Sequence, residues 1–378
     1  MSPIGIRFSF YQIMAKVSFN NNQRVFYPSL KKAVDQYFLT QGLKKSGNWK
    51  LYSKALVLFP LAFGIYFFLL FGAYSASVGI GLSILMGLTL VSIAFNIMHD
   101  ACHGSYSSKK WVNDLMSHSM NALGSNSFIW KVKHNVVHHT YTNVDGIDDD
   151  IAKSPVLRLC PTQVWKPAHR FQHIYMFLVY GLSTILWLFL TDYIKYFKKK
   201  VVVTEMKMST WDHIVFWSGK LLYWVFYAVI PIYFIGWETW LIGFLIVHVV
   251  MGITLAVVFQ LAHVVEKTEF ESAAEEPKML DREWAAHELR TTANFAPDNK
   301  WISWFVGGLN YQVEHHLFPR ISHVHYPALS KIVREQCEKF GLPYHYYPTM
   351  MEAIASHVRV MKALGKPQAR LEQGRIAA

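Results

Sequence analysis

Long apolar stretches dominate the pattern of this chain. They cover residues 55–74, 78–98, 174–190, 214–235 and 240–262, with polar and charged segments between them. A helix that crosses a bilayer needs about 20 consecutive apolar residues, and four of the five stretches meet that length while 174–190 is marginal. The pattern therefore predicts an all-α integral membrane protein with four transmembrane helices.

The distribution of Lys and Arg predicts the orientation of these helices. The short joints at 75–77 and 236–239 carry no Lys or Arg, whereas both ends of the chain and residues 99–213 are rich in them. Basic segments stay on the cytoplasmic side, so the spans form two hairpins with both termini in the cytoplasm. Residues 174–190 are then expected to form an interfacial helix, because a single further crossing would move the C-terminus outside. The alternative, that 174–190 spans the membrane, stays open.

Composition narrows the class of protein further. Hydrophobic residues make up 52% of the chain and charged residues 16%, against about 25% charged residues in a typical soluble domain. The net charge of +12 fits basic flanks beside anionic lipid headgroups. No basic run belongs to a nucleic-acid-binding motif, so no nucleic acid partner is expected. Cys102, Cys160 and Cys337 form no CxxC pair, which argues against a disulfide framework or a zinc–thiolate site.

The candidate chemistry lies in the histidines. Three strings, HDACH, HNVVHH and QVEHH, place histidines at helical spacing, and one further histidine ends the last apolar stretch. Residues three or four apart lie on one face of a helix, so each string can present several imidazoles together. The candidate metal ligands are His99, His103, His134, His138, His139, His263, His315 and His316, with Gln312 as a further candidate.

Eight imidazoles exceed the ligand number of one ion and suit two. Imidazole binds Fe, Zn, Cu or Ni, and the strings contain no thiolate pattern for an iron–sulfur centre. Under the predicted topology all eight lie at the cytoplasmic ends of the spans, where they can converge. A single HxxxH or a lone His263 is weak evidence for a ligand, and the joint placement carries the prediction. His248 lies in mid-span and is interpreted as a helix-packing residue, while His169 and His357 are expected at the surface or in structural contacts, where replacement by Ala is nearly neutral.

These strings resemble a known family. HDACH, HNVVHHTYTN and QVEHHLFP resemble the three histidine boxes of membrane fatty acid desaturases, over about residues 50–345. The Gln at the head of the third box resembles the front-end subgroup, and HNVVHHTYTN followed by an acidic run resembles its bacterial, delta-6-like members. The resemblance implies a cytoplasmic N-terminal region at 1–50, a desaturase domain at 51–345 and a cytoplasmic tail at 346–378, in a bacterial inner membrane.

The resemblance also implies the chemistry. Two iron ions held by the histidines would activate O2 as co-substrate, and two adjacent methylenes of a fatty acyl chain would become a cis double bond. The substrate is expected to be an acyl-CoA or acyl-lipid. Because no HPGG string marks a fused cytochrome b5 domain, electrons are expected from a separate donor such as ferredoxin or cytochrome b5. The acidic residues expected to support the ligands are Asp100, Asp145, Asp148, Asp149, Asp150 and Glu314.

Two other functions remain open at this point. A di-iron membrane fatty acid hydroxylase would use the same histidines and oxygen but would leave a hydroxyl group on the chain. A metal transporter would carry ligands near the middle of its spans, where this chain has only His248. The acyl carrier, the chain length and the double-bond position are not set by the sequence.

Overall fold

The structure is a computed structural model that describes residues 17–21, 24–152, 155–273 and 278–377. Parts of all three predicted regions lie outside the described residues: 1–16 and 22–23 of the N-terminal region, 153–154 and 274–277 of the desaturase domain, and Ala378 of the tail. Within the described residues the chain is mostly helical, with eighteen α-helices, four π-helical segments and ten very short strands.

The helices follow one another along the whole chain. Their bounds are α1 Phe26–Gln41, α2 Trp49–Phe71, α3 Ala76–Ile93, α4 His99–His103, α5 Lys110–Ser117, α6 Ser119–Ala122, α7 Ser127–Lys131, α8 Gln172–Gly181, α9 Ser183–Leu186, α10 Asp192–Lys198, α11 Thr210–Trp224, α12 Ile230–Ile235, α13 Trp237–His263, α14 Trp284–Thr291, α15 Lys300–Phe305, α16 Gln312–Leu317, α17 Tyr326–Phe340 and α18 Met350–Leu364. The π-helical segments are Ala94–Met98, Val132–His138, Trp187–Thr191 and Val225–Val229.

The strands form five pairs, of which three join segments that are distant along the chain. Their bounds are β1 Val17–Phe19, β2 Val144–Asp145, β3 Lys200–Val201, β4 Thr204–Glu205, β5 Glu271–Ser272, β6 Lys278–Leu280, β7 Asn294–Phe295, β8 Tyr346–Tyr347, β9 Arg370–Glu372 and β10 Arg375–Ala377. Parallel pairs join β1 to β6, β2 to β5 and β7 to β8, and antiparallel pairs join β3 to β4 and β9 to β10. In the β2–β5 pair Val144 lies opposite Glu271, which ties the segment after the second histidine string to the segment after α13.

In the part of the chain that the structure describes, four helical stretches are long and apolar enough to cross a membrane, judged by length and composition. They are Trp49–Phe71, Ala76–His103, Thr210–Ile235 and Trp237–His263, in agreement with the four predicted spans to within a few residues at most ends. The second stretch continues through the π segment Ala94–Met98 into α4, so its last turn carries His99 and His103. Asn48 caps α2 by accepting a hydrogen bond from the Lys50 amide, and Ser75 caps α3 through the Val78 amide.

The third span shows how a proline is accommodated inside a helix. Pro231 has no N–H to donate to the carbonyl of Tyr227, and the π segment Val225–Val229 lies just before it. The indole Nε1 of Trp240, on α13, donates to that carbonyl at 2.6 Å instead. The bond satisfies a polar group that is costly to leave unpaired in an apolar setting, and it ties the third span to the fourth.

Small residues let the fourth span pack closely against its neighbours. A Cβ atom added at Gly87 of α3 would lie 2.9 Å from the carbonyl oxygen of Val247, and one added at Gly252 would lie 2.6 Å from that of Tyr180. Glycine permits this backbone approach between helices. His248 bridges the same region, with Nε2 at 2.7 Å from the Tyr223 hydroxyl and Nδ1 at 3.0 Å from Thr184 Oγ1. These contacts agree with its interpretation as a helix-packing residue.

The marginal stretch 174–190 lies in a bent pair of helical segments. Pro167–Gly181 and Ser183–Lys198 meet at 56°, and the pair would raise the number of possible spans to five if it crossed as one. One side packs against α13 and α18. The other side exposes a stripe of apolar side chains: Phe171, Ile174, Leu178, Leu182, Leu186, Phe189, Leu190, Ile194 and Phe197. The predicted single interfacial helix is therefore two helices with a common apolar outer side.

Candidate metal centre

All eight predicted histidines lie in one buried cluster. Ring nitrogens lie within 4.8 Å of one another in three overlapping groups: His99, His103, His134 and His315; His138, His263 and His316; and His139, His315 and His316. The cluster sits at the ends of the second and fourth spans, where α4 and α13 stop. The convergence expected from the predicted topology is therefore present in the structure.

The first pair is positioned by the last turn of the second span. His99 and His103 are four residues apart in α4, and their ring centroids lie 4.7 Å apart. Gly104 ends the helix at a φ of 74°, a left-handed conformation that glycine adopts without steric cost. The turn that follows returns Ser105 and Tyr106 to donate backbone hydrogen bonds to the Asp100 carbonyl, which fixes the end of α4.

The second string is π-helical, which changes which histidines face each other. The His139 amide donates to the His134 carbonyl at 3.1 Å, a bond that spans five residues. As a result His134 Nε2 and His139 Nε2 lie 3.2 Å apart. The α-helical spacing predicted from the sequence would instead place His134 and His138 on one face, with His139 further round the helix. Single-turn π segments are frequent at functional sites, and this one pairs the first and last histidines of the string.

The third string joins the groups. In α16, His315 belongs with His99, His103 and His134, while His316 belongs with His138 and His263. Consecutive residues of a helix point about 100° apart, so a histidine doublet can face two groups at once. The carboxamide nitrogen of Gln312 donates to the Leu309 carbonyl at 2.9 Å, which leaves its oxygen as the group able to face a cation.

The inner ring nitrogens have no protein partners. Buried ring nitrogens without a hydrogen-bond partner occur at seven of the eight: both nitrogens of His99, Nδ1 of His139, and Nε2 of His103, His138, His263, His315 and His316. A buried polar atom left unpaired costs about 1–3 kcal/mol. Isolated nitrogens of His173, His287 and His345 share this property, so it is the convergence of so many in one place that fits bound metal.

On three of these rings the opposite nitrogen is held by a carboxylate or a hydroxyl group. His316 Nδ1 lies 2.7 Å from Glu288 Oε2, and His138 Nδ1 lies 3.1 Å from Asp148 Oδ2. His315 Nδ1 lies 3.2 Å from the Tyr326 hydroxyl. A carboxylate on the outer nitrogen fixes the tautomer and turns the lone pair of the inner nitrogen toward a metal, as is common in metal-binding histidines. Chemically, these rings are oriented to donate a nitrogen lone pair to a metal ion.

Electrostatics favour the neutral, metal-binding form of most of these imidazoles. Burial, followed by the neighbouring imidazoles, holds the pKa of His134, His139, His315 and His316 well below its usual range, which keeps their rings neutral. Burial also lowers the pKa of His138, but the Asp148 and Asp150 carboxylates together raise it, and the net direction is upward. Neutral imidazole is the metal-binding form, so most of the cluster is ready to bind cations near neutral pH.

The predicted acidic residues separate into two sets. Asp148 contacts His138 directly, and Asp150 lies 3.8 Å from the same ring while it pairs with Lys133. Asp100 lies 4.0 Å from His99 Nδ1, but its closer partners are Ser322 and His323. The others contact no histidine of the cluster: Asp145 accepts from Thr162 and Gln163, Asp149 pairs with Lys195, and Glu314 accepts from Asn294 and Tyr344.

Several supporting residues were not predicted. Glu288, on α14, accepts from Thr142 Oγ1 at 2.9 Å in addition to facing His316. Tyr326, at the start of α17, lies far along the chain from most of the histidines it helps to position. Glu288 is fully buried, which is rare for an unpaired glutamate and indicates a partner. The sequence alone does not show that burial.

Two histidines set aside as surface or structural residues are both buried. His169 Nε2 lies 2.8 Å from the Pro155 carbonyl, and His357 lies 2.7 Å from the Val264 carbonyl and 2.8 Å from the Tyr180 hydroxyl. Their contacts are structural. Replacing either by Ala would leave buried partners unpaired, so the expectation that such variants are nearly neutral is not supported by these contacts.

An apolar cavity opens onto the cluster. It has a volume of about 280 Å³ and is lined by His99, His134, His315 and Gln312 on one side and by apolar residues of α8, α9 and α13 on the other. A second cavity of about 310 Å³ lies between the spans. Leu123 and Met251 line both cavities and stand at the boundary between them. The pair provides an apolar space beside the candidate metal ligands.

Comparison with known proteins identifies the family. The fatty acid desaturase family profile matches residues 75–348, which include all eight histidines. The chain is 36% identical over 348 residues to an sn-1 linoleoyl-lipid 6-desaturase of Synechocystis, covering 91% of this chain and 96% of the relative. It is 34% identical to a protein of the same name from Arthrospira platensis, over 90% of this chain and 92% of the relative. It is also 34% identical to an acyl-lipid (8-3)-desaturase of Physcomitrium patens, over 92% of this chain and 73% of the relative. Neither a hydroxylase nor a metal transporter is favoured by these matches. The chain belongs to the fatty acid desaturase family.

Proposed function

We propose that this protein is a front-end acyl-lipid desaturase that works at a di-iron centre. The observation that carries the proposal is the convergence of eight buried imidazoles, seven of which have an unpaired ring nitrogen, beside an apolar cavity. Relatives that match nearly the whole chain are named as acyl-lipid or linoleoyl-lipid desaturases, which supports an acyl-lipid substrate over an acyl-CoA.

The ligand assignment follows the groups in the cluster. His99, His103, His134, His139 and His315 would hold one ion, and His138, His263 and His316 would hold the other, with the carboxamide oxygen of Gln312 completing the second set. Iron is preferred to zinc because the reaction of the family is an oxidation, and zinc has no redox chemistry. When bound, the two ions supply the activation of O2 and the removal of hydrogen from the acyl chain.

The balance of the reaction defines what else the protein must provide. Two adjacent methylenes lose two hydrogen atoms and become a cis double bond. O2 takes up four electrons, two from the broken C–H bonds and two from a separate one-electron carrier, and with two further protons it leaves as two water molecules. The chain's own residues must therefore bind a flexible acyl chain, hold one C–C bond beside the ligand cluster, exclude bulk water and admit electrons.

The two cavities suit the acyl chain. In a front-end enzyme the distance from the carboxyl end to the metal centre sets the double-bond position, and room beyond the centre limits the chain length. We infer that the reacting methylenes occupy the cavity beside His99 and His315, and that the methyl end passes Leu123 and Met251 into the cavity between the spans. Apolar walls discriminate modestly, by about 1–3 kcal/mol for each methylene.

We further infer the membrane arrangement. The four spans form two hairpins, the histidine cluster and both termini lie in the cytoplasm, and the protein resides in a bacterial inner membrane. The bent pair Pro167–Gly181 and Ser183–Lys198 lies in the interface, since its apolar stripe faces outward and Lys195 and Lys198 lie near its end. The N-terminal region 1–50, the desaturase domain 51–345 and the tail 346–378 retain the boundaries predicted from the sequence.

The membrane arrangement predicts the result of reporter fusions. Reporters fused after Glu205 and at the C-terminus should both report cytoplasm, and one fused after Trp237 should report the opposite side. A C-terminal reporter on the opposite side would mean that the bent pair crosses the membrane. That result would also separate the third histidine string from the first two across the bilayer, contrary to the proposal.

Product analysis tests the function itself. In a host with a known lipid profile, the protein should produce a fatty acid lighter by two hydrogens, with the new double bond between an existing one and the carboxyl end. After anaerobic purification the protein should contain close to two irons per chain. The His138→Ala variant should form no desaturated product. A product heavier by one oxygen would identify a hydroxylase. One zinc and no iron under these conditions would contradict the di-iron centre, although zinc binds such sites tightly after aerobic overexpression.

Glu288→Gln tests the support of His316. The amide keeps the size of the side chain but is a weaker acceptor for the Nδ1 proton, so the orientation and basicity of His316 should suffer. We expect a loss of about 10–100-fold in iron affinity or turnover, the usual effect of changing such a partner. Iron content and product yield are measured together. The control is Glu283→Gln, the same chemical change at the start of the same helix, where the carboxylate contacts the Tyr27 amide and not a histidine. This variant should retain the iron content and the product yield of the wild type.

Met251→Trp tests the boundary between the cavities. The larger ring should close the passage into the cavity between the spans, so long acyl chains should lose turnover while short ones retain it. Met251→Leu conserves volume and should keep the wild-type profile. Each variant is given a series of acyl chains of increasing length, and the products are compared. An unchanged length profile in folded Met251→Trp would mean that the methyl end lies elsewhere.

A further inference from the structure

A third cavity opens on a different side of the cluster. It is a surface groove of about 1010 Å³ formed by the start of α2, by α15, by α17 and by the segment around β8. No residue that lines it also lines the two apolar cavities. Its lining is polar, aromatic and charged. An acyl chain has no reason to bind there, so the groove needs a different explanation.

Two short chains of neighbouring residues lead from the groove toward the candidate ligands, and each begins with a hydrogen bond to a buried carboxylate. His323 lines the groove, its Nδ1 lies 3.0 Å from Asp100 Oδ2, and Asp100 Oδ1 lies 4.0 Å from His99 Nδ1. Tyr344 also lines it and donates to Glu314 Oε1 at 2.9 Å, and Glu314 directly precedes His315 in α16. Asp100 and Glu314 thus connect the groove with two histidines that belong to the same group. In each case one buried carboxylate residue stands between a residue that lines the groove and a histidine of that group.

The charge of the groove selects its partner. Lys50, Lys300, Lys331 and Arg334 line it together with the buried Lys54, against Asp298, Glu335 and Glu338. The chain as a whole carries a net charge of +12. Arg334 is held over the Tyr344 and Tyr346 rings, at 5.2 and 4.7 Å from their centroids, so part of this charge is fixed in place. Such a surface attracts an acidic protein and speeds its encounter.

We propose that this groove is the docking surface for a small acidic one-electron carrier protein. The inference rests on the proposed desaturase function, which requires two electrons from outside the chain. Electron transfer falls steeply with distance, so the carrier must dock where little protein separates it from the histidines. The groove combines that short separation with a basic rim. Redox partners bind through small, transient interfaces, which a single groove and its rim can supply.

Charge reversal at the rim tests the docking directly. The probe is a plant-type [2Fe–2S] ferredoxin, an acidic carrier, added in its oxidised form so that binding is measured without turnover. Lys300→Glu combined with Lys331→Glu should raise its Kd by about tenfold at low salt, and the difference from wild type should shrink at high salt. Lys362→Glu, an equally exposed change on α18, is the matched control and should leave the Kd unchanged. Carbodiimide should cross-link wild-type Lys331 to a ferredoxin carboxylate, as identified by mass spectrometry.

The outcomes separate the docking from the function. An unchanged Kd in the double variant, with cross-links at other lysines, would overturn the docking surface. Retained ferredoxin binding with lost binding to anionic phosphatidylglycerol vesicles would also overturn it and would assign the groove to lipid headgroups. If the wild type binds ferredoxin at the groove but yields no unsaturated product, the proposed desaturation fails while the docking surface stands. If product forms equally well in wild type and variant at limiting ferredoxin, the docking surface fails and the desaturation stands.

Discussion

The structure depends on the burial of eight imidazoles in one cluster. Most of them turn an unpaired nitrogen inward, and each unpaired buried nitrogen is costly without a ligand. Such a cluster is stable only if the surrounding protein fixes every ring and something binds at its centre. The outer contacts from Glu288, Asp148 and Tyr326 meet the first condition for His316, His138 and His315. In the proposed enzyme, metal meets the second, and metal binding then contributes to the stability of the fold.

The sequence predicts the parts of this arrangement that follow from local spacing. Apolar length predicted four spans, and the structure has four helices of sufficient length and hydropathy. Histidine spacing predicted seven of the eight members of the cluster, because HxxxH and HH patterns restrict where the side chains can point, and the eighth, His263, was predicted from its place at the end of the last span. The ends of the spans then predicted that His99 and His263 meet, since both follow apolar stretches whose ends lie on the same side of the membrane.

Other parts depend on long-range packing that the sequence does not reveal. The π-helical turn that pairs His134 with His139 is closed by the bond from the His139 amide to the His134 carbonyl, and no local propensity distinguishes it from an α-helix. Glu288 is one acidic residue among many until α14 buries it beside His316. Long-range packing also explains why 174–190 was predicted to be one helix. The bend lies where the backbone of Tyr180 and Gly181 packs closely against Gly252 of α13, and the local sequence does not reveal that distant contact.

The placement of the cavities follows from the same cluster. His99 and His315 line an apolar cavity, while their sequence neighbours Asp100 and Glu314 bond to residues of the polar groove. Adjacent residues of a helix face different directions, so short helices can present a ligand to one side and a carboxylate to another. In the proposed enzyme this separation has a chemical use. The acyl chain needs a dry, apolar path from the bilayer, and the electron carrier needs a wet, charged surface, and neither can share the other's route to the histidines. A cluster placed at the membrane edge, between the ends of the spans and the helices that cover them, is accessible to both.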